Sequence, residues 1–150
     1  MGIVSEIQVA AKVIIEVITG FTQLDYEYDI DLNSDRGYEE KYGFIPKAAN
    51  FASGRSLGFT TMDHAFELVL TSDYNNQDCD VAQNTTVMGL YEKAQELLKE
   101  LQKSRLVLPT PTNKVLLIAG LSFDDPEFSS DNSTVALRAT FNIQYRYRNN

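Results

Sequence analysis

The chain has 150 residues, of which 13 are basic and 21 are acidic, so its net charge is −8 at neutral pH. A chain of this length forms one ordinary domain with its own core, and its hydrophobic content of 43% excludes disorder of the whole chain. The acidic balance opposes tight binding to nucleic-acid phosphates, which disfavours a conventional DNA-binding module. We therefore expect a single domain over residues 1–150.

Residues 4–20 are predicted to form a helix that ends at Gly20, because apolar residues recur at spacings of three and four. These apolar residues are Ile7, Ala10, Ala11, Ile14, Val17, Ile18 and Phe21. Charged side chains at Glu6, Lys12 and Glu16 interrupt the segment, and no basic leader precedes it. The segment therefore indicates neither a signal peptide nor a membrane anchor.

Residues 24–32 are predicted to form a half-buried strand, because large apolar residues alternate with acidic ones. The acidic face consists of Asp25, Glu27, Asp29 and Asp31. Neighbouring carboxylates on such a face are about 6.6–6.8 Å apart and repel one another. The row is tolerated if it is fully solvated, if it meets basic residues of a partner, or if it binds cations. We treat it as a candidate subunit-contact face.

The stretch from Asp29 to Glu40 partly matches the loop that binds calcium in EF-hand proteins. Oxygen-bearing side chains stand at the first, third, fifth, seventh and twelfth places of the pattern. These residues are Asp29, Asp31, Asn33, Asp35 and Glu40. The sixth place, which requires glycine, holds Ser34, and a predicted strand stands where an EF-hand has its incoming helix. We therefore predict no EF-hand.

Residues 33–56 mix turn residues with short apolar islands and are predicted to form a long loop arm with at most a short strand. A loop of this length is uncommon in a compact domain and is often functional. The arm is therefore a candidate for binding or subunit contact, and the alternative is an irregular surface segment.

Residues 57–71 alternate again and predict a strand with Phe66, Leu68 and Leu70 on one face.

A polar loop that contains Cys79 is predicted to follow, and then a helix that is capped by Thr85 or Thr86. Because Cys79 is the only cysteine, it forms no intramolecular disulfide, which fits synthesis in a reducing cytoplasm. The apolar stripe of the helix consists of Val87, Leu90, Tyr91, Ala94, Leu97, Leu98 and Leu101. Two prolines end the helix, and the apolar run KVLLIAGLSF (residues 114–123) predicts another strand.

The last segment of the chain predicts a long, two-faced strand. Its apolar face consists of Val135, Leu137, Ala139, Phe141, Ile143, Tyr145 and Tyr147. Its other face carries Arg138, Arg146 and Arg148, a candidate basic subunit-contact face. We hypothesise that this basic row meets the acidic row of Asp25 to Asp31 across a subunit boundary.

These elements predict an α+β fold, a mostly antiparallel sheet with two helices packed on it and a long loop arm. No sequence motif for catalysis, nucleotide binding or phosphate binding occurs. His64 is the only histidine, and neither Asp63 nor Glu67 beside it completes a nucleophilic system. One histidine and one cysteine cannot assemble a common catalytic zinc site. We expect no enzyme activity, no cofactor and no metal.

Four features of the chain together resemble the tail terminator, or tail completion, family of neck proteins of long-tailed bacteriophages. They are the element order, the strand exit FELVLTSDY, the amphipathic helix after it, and the terminal pair of segments LIAGLSFDDPEF and RATFNIQYRYR. The resemblance covers most of the chain and consists of pattern and length. It implies a virion protein that forms a hexameric ring, caps the tail tube and contacts the tail tube protein and the head-tail connector protein. It also implies that DNA passes through the ring without specific binding, and the acidic strand is then a candidate bore lining.

Two alternatives stay open. The chain could be a head-completion or tail tube subunit of the same neck, since related folds serve all these roles. It could also be an unrelated divalent-metal-binding module that uses Asp25, Asp29, Asp31 or Glu40.

Overall fold

The computed structural model describes residues 2–34, 37–52, 58–74, 79–104, 106–131 and 133–149, without the side chains of residues 79–83. In chain order the elements are α1 (Ile3–Thr19), β1 (Thr22–Gln23), β2 (Lys41–Phe51), β3 (Phe59–Asp73), α2 (Cys79–Ser104), β4 (Lys114–Phe123), β5 (Glu127–Phe128) and β6 (Thr134–Arg148). The two helices pack on one mostly antiparallel sheet, so the predicted α+β class is confirmed.

The strand order across the sheet is β1-β2-β3-β6-β4, and the short β5 pairs with β6 beyond the end of β4. β3 and β6 form the centre and pair antiparallel over fifteen residues each, from Phe59 opposite Arg148 to Asp73 opposite Thr134. The strands predicted over residues 57–71, over residues 114–123 and in the last segment are confirmed. Among the described strands, only β1 and β2 pair in parallel.

Both helices and the main core lie on one face of the sheet, and we call the other face the open face. Alternate residues of β3 and β6, such as Phe66 and Phe141, are fully buried under the helices. α1 ends as predicted, because Gly20 adopts a φ of 71° and donates its N–H to the Glu16 carbonyl.

α2 begins at Cys79, earlier than the predicted start at Thr85 or Thr86. Residues 79–88 contain neither glycine nor proline, so nothing in that stretch breaks the helix. The predicted apolar stripe is confirmed, and its buried members are Leu90, Ala94, Leu97 and Leu101. Neither described helix combines the length and the apolar character needed to cross a membrane.

The prediction of a strand over residues 24–32 is wrong. The N–H of Leu24 donates to the carbonyl of Tyr42 at 2.8 Å, after which the chain leaves the sheet. The N–H of Asn33 then donates to the Asp31 carboxylate at 3.0 Å, so this aspartate holds a turn. Aspartate side chains compete with strand pairing in this way. Alternation alone therefore misidentified a segment that has no neighbouring strand to pair with.

Only part of the apolar side of this segment becomes buried. Ile30 and Leu32 pack on the open face against a small cluster of Ile45, Val69 and Ala136. Tyr26 and Tyr28 instead remain 60% and 74% exposed, so this cover accounts for the second half of the alternation and not for the tyrosines.

The prediction of a long loop arm over residues 33–56 is also wrong in its central part, which forms the eleven-residue β2. Tyr42 and Phe44 of β2 are fully buried, and Phe44 stacks on Phe66 with ring centroids 5.2 Å apart. Pro46 hid the strand in the sequence, yet it lies next to a break in the register with β3, where proline is tolerated. Residues 35–36 and 53–56 of the predicted arm, and residue 57 of the next predicted strand, lie outside the described residues.

Candidate subunit-contact surface

The three arginines of the predicted basic face lie on the open face of β6, but Arg138 differs from the other two. Its Nη1 donates to Glu67 at 2.9 Å, and its Nε donates to Glu127 at 3.2 Å. Lys47 lies 3.7 Å from the same Glu67 carboxylate. Arg138 is therefore neutralised within its own subunit.

Arg146 and Arg148 form a separate group with Lys114, and we call these three residues the basic corner. Lys114 and Arg146 are direct partners in the register of β4 and β6, and Arg148 follows two residues later. The Arg146 guanidinium lies over the Phe59 ring, 4.8 Å from its centroid, and its buried Nε has no hydrogen-bond partner. Among the described residues, no carboxylate lies within ion-pair distance of the basic corner.

The four carboxylates of the predicted acidic face are not on one face. The side chain of Glu27 is only 10% exposed; it pairs with Lys12 at 2.7 Å and accepts the N–H of Phe44 at 3.0 Å. Asp31 holds a turn, as described above. Asp25 is exposed to solvent. The predicted acidic row is therefore wrong, because turns replace the strand that would have aligned it.

Exposed carboxylates instead gather where the central strands begin or end on the side of Asp73, and we call this region the acidic end. Its members are Asp25, Asp31, Glu39, Glu40, Asp73, Asp124, Asp125, Glu127 and Asp131; Asp124 and Asp125 follow β4, where the N–H of Asp124 donates to the Arg138 carbonyl. Asp29 is also exposed. The loop before β2 reaches the turn before β6, since the Asn33 side chain accepts the N–H of Ser130 at 2.8 Å. The described basic residues in this region are Lys41 and Arg138, and Arg138 pairs with Glu127.

One carboxylate of the acidic end is held in its charged form by local hydrogen bonds. The hydroxyl of Ser129 donates to Asp131 at 2.6 Å, and Ser133 donates through both its hydroxyl and its N–H. These bonds lower the pKa of Asp131 below its usual value.

The outward side of α1 carries three exposed valines, and we call them the valine stripe. Val9, Val13 and Val17 follow one another at four-residue intervals and expose 55%, 59% and 77% of their surface. Val17 belongs to the apolar spacing that predicts the helix, yet it is the most exposed of the three. Contiguous apolar surface of this kind marks interaction sites on soluble proteins.

Two polar residues of α1, Glu6 and Gln8, are held by contacts within the subunit, whereas Ser5 and Glu16 are exposed. Glu6 is 3% exposed and accepts hydrogen bonds from the N–H and hydroxyl of Thr110, at 3.1 and 2.6 Å, and from the Asn113 amide. Burial raises the pKa of Glu6, but these hydrogen bonds outweigh burial and leave its pKa below the usual value. Gln8 donates to the Phe44 carbonyl at 3.0 Å.

A second apolar surface lies at the far edge of the sheet, and we call it the β4 groove. It is a cavity of about 200 Å³ between the end of α2 and β4, lined by Leu101, Gln102 and residues 115–118. Leu116 and Leu117 are 43% and 56% exposed. β4 is an edge strand with two irregularities in its register, a feature that limits uncontrolled pairing of free edges.

His64 belongs to the core and has no catalytic surroundings among the described residues. Its two ring nitrogens lie 2.9 Å from the Tyr145 hydroxyl and 2.9 Å from the Lys47 carbonyl. Burial lowers the pKa of His64. In the described part of the chain, no three histidine, cysteine or acidic side chains converge where a metal ion could bind; Asp35 and the Cys79 side chain lie outside it.

Comparison of the chain with protein-family models and with curated proteins finds no match. The surfaces described above are therefore the features that bear on function. Sequence reasoning missed the valine stripe and the β4 groove. A signal for the stripe was present, since eleven of the seventeen residues of α1 are apolar, which is more than one buried face of a helix requires.

Proposed function

We propose that the chain is a structural virion protein of a tailed-phage neck, a tail terminator that forms a ring, caps the tail tube and joins it to the head connector. The observation that carries the proposal is that one small subunit has two unlike apolar surfaces, the valine stripe and the β4 groove. The sequence resemblance to neck proteins supports the same conclusion.

Two unlike surfaces favour a ring over a simple dimer. A twofold dimer uses the same patch on both subunits, whereas head-to-tail contact joins two different patches and closes into a ring when the rotation permits. In this arrangement the valine stripe of one copy packs against the β4 groove of the next. Cavities of about 150 Å³ accept a benzene molecule, so the β4 groove has room for an aliphatic side chain.

The charge of the chain supports a passage through which DNA moves without specific binding. A ring of subunits that each carry a net charge of −8 repels phosphates overall. Each phosphate contact would instead require a positive group to replace bound counterions. The remaining partners in this proposal are the tail tube protein on one side of the ring and the connector protein on the other.

Native mass spectrometry and negative-stain imaging of the purified protein test the proposal. We expect a closed ring, six-membered if the resemblance to tail terminators holds. Long open tubes would favour the tail tube role instead. A monomer at every protein concentration would contradict a ring that forms through these two surfaces.

A further inference from the structure

The charges of this subunit are separated along the central strands. Along β6 the basic corner is roughly 25 Å from the level of Asp124 and roughly 45 Å from the level of Asp73. Salt screens charges beyond about 8–10 Å at physiological ionic strength. Attraction between the basic corner and the acidic end of one subunit therefore does not account for their placement.

The basic corner is unfavourable in an isolated subunit. Lys114 and Arg146 stand directly opposite each other on neighbouring strands, where like charges destabilise a sheet. The nearest carboxylate in the register is Asp63, at a diagonal position, and it accepts a hydrogen bond from Gln144 at 3.2 Å. The three cations are thus arranged for an anionic group that the subunit itself does not supply.

Arg146 is also oriented in advance. Its guanidinium lies on the Phe59 ring, so less side-chain freedom is lost when it binds a partner. A planar guanidinium pairs with a carboxylate through two parallel hydrogen bonds. Arg148 and Lys114 are exposed beside it and can reach further carboxylates.

We propose that the basic corner of one copy docks on the acidic end of the next copy, and that this contact sets the direction and spacing of the ring. This inference rests on the proposed ring. Charge complementarity identifies the docking partner, because the acidic end gathers exposed carboxylates, and a second copy of the chain presents them to the three cations of the basic corner. Each apolar surface lies near one of the charged regions: Lys114 begins the strand that lines the β4 groove, and α1 leads directly into β1 beside the acidic end.

Two charge-reversal variants test the inference. The corner variant carries Lys114→Glu and Arg148→Glu, and the end variant carries Asp124→Lys and Asp125→Lys; all four residues are exposed and none makes a described ion pair. Each variant alone presents like charges at the contact, so we expect assembly at least about tenfold weaker than in the wild type. A one-to-one mixture restores opposite charges at every contact, and we expect an alternating ring of wild-type size.

Matched controls carry the same charge changes on the outward side of α2. They are Lys99→Glu with Lys103→Glu, and Glu92→Lys with Glu96→Lys, all at exposed positions. Both controls should assemble like the wild type. Circular dichroism of every variant shows whether it is folded, and native mass spectrometry with differently labelled chains counts each type in the mixed ring.

The outcomes separate this inference from the proposed function. Variants that assemble alone like the wild type overturn the docking contact and leave the ring intact. Folded variants that fail alone and also fail when mixed overturn it too, because the corner then has another partner. A third outcome is that the wild type binds a duplex DNA oligonucleotide, and that the corner variant loses this binding but still forms the ring. The basic corner is then a phosphate site, and the docking contact is overturned. A wild type that never assembles overturns both proposals.

Discussion

Replacement of the valine stripe by glutamine, through Val9→Gln, Val13→Gln and Val17→Gln, should weaken assembly without weakening the fold. The three valines together expose nearly two full side chains. Burial of a fully exposed valine contributes about 1.5 kcal/mol, so their contact with a neighbour is worth about 3 kcal/mol, or roughly a hundredfold in the association constant. Glutamine has at least the helix propensity of valine, so α1 should remain stable.

Two measurements check this prediction. Sedimentation velocity over a range of protein concentrations gives the midpoint of assembly, and urea unfolding gives the free energy of unfolding of the subunit. Met88→Gln is the matched control, because Met88 is a comparably exposed apolar residue on α2, at 58%. A triple variant that assembles at the wild-type concentration would refute the assignment of the valine stripe to the subunit contact.

Three further predictions concern the fold and are each measured by urea unfolding. Glu6→Ala should lower the free energy of unfolding by about 1–3 kcal/mol, because it leaves half-buried donors of Thr110 and Asn113 without their acceptor. Gly120→Ala should cost about 1–2 kcal/mol, since residue 120 has a φ of 73° and a Cβ there would lie 3.0 Å from a neighbouring side-chain nitrogen. The pKa of His64 is lowered in the folded state, so the unfolded chain takes up the proton first and stability should fall as the pH drops below about 6.5.

Each of these predictions has a control in the same chain. Glu92→Ala removes an exposed carboxylate and should change the free energy of unfolding by no more than about 0.5 kcal/mol. Gly89→Ala lies inside α2 with open space around it, so it should raise stability by up to about 1 kcal/mol. His64→Gln should remove the stability loss near pH 6.5; an unchanged pH profile in that variant would contradict the role given to burial.

Two segments with the same alternation show where sequence reasoning succeeds and where it stops. The alternation of residues 134–148 forms β6, whereas that of residues 24–32 forms turns. β6 has β3 on one side and β4 on the other, so its backbone groups are paired across the sheet. The segment after Leu24 has no such neighbour, and Asp31 satisfies local N–H groups instead. The sequence showed the two-residue alternation in both segments, but it did not show whether a neighbouring strand was available for pairing.

The charged residues show the same difference between what the sequence predicts and what the tertiary structure decides. The sequence placed Arg138 and Arg146 on one face of a strand, and they lie there. It could not show that Arg138 meets Glu67, which is 71 residues away in the chain, while Arg146 meets the Phe59 ring. One arginine is thus used within the subunit and the other remains for a partner.

The amino-acid sequence by itself determined the helices, three of the long strands and the α+β class. The spacing of apolar residues is a local property, and the repeat of a helix or strand places residues with that spacing on one face of the element. The tertiary structure alone decided which charges are neutralised, where carboxylates gather and which apolar residues of α1 stay uncovered. Those outcomes depend on pairing between distant segments, and the register of β2, β3 and β6 sets them.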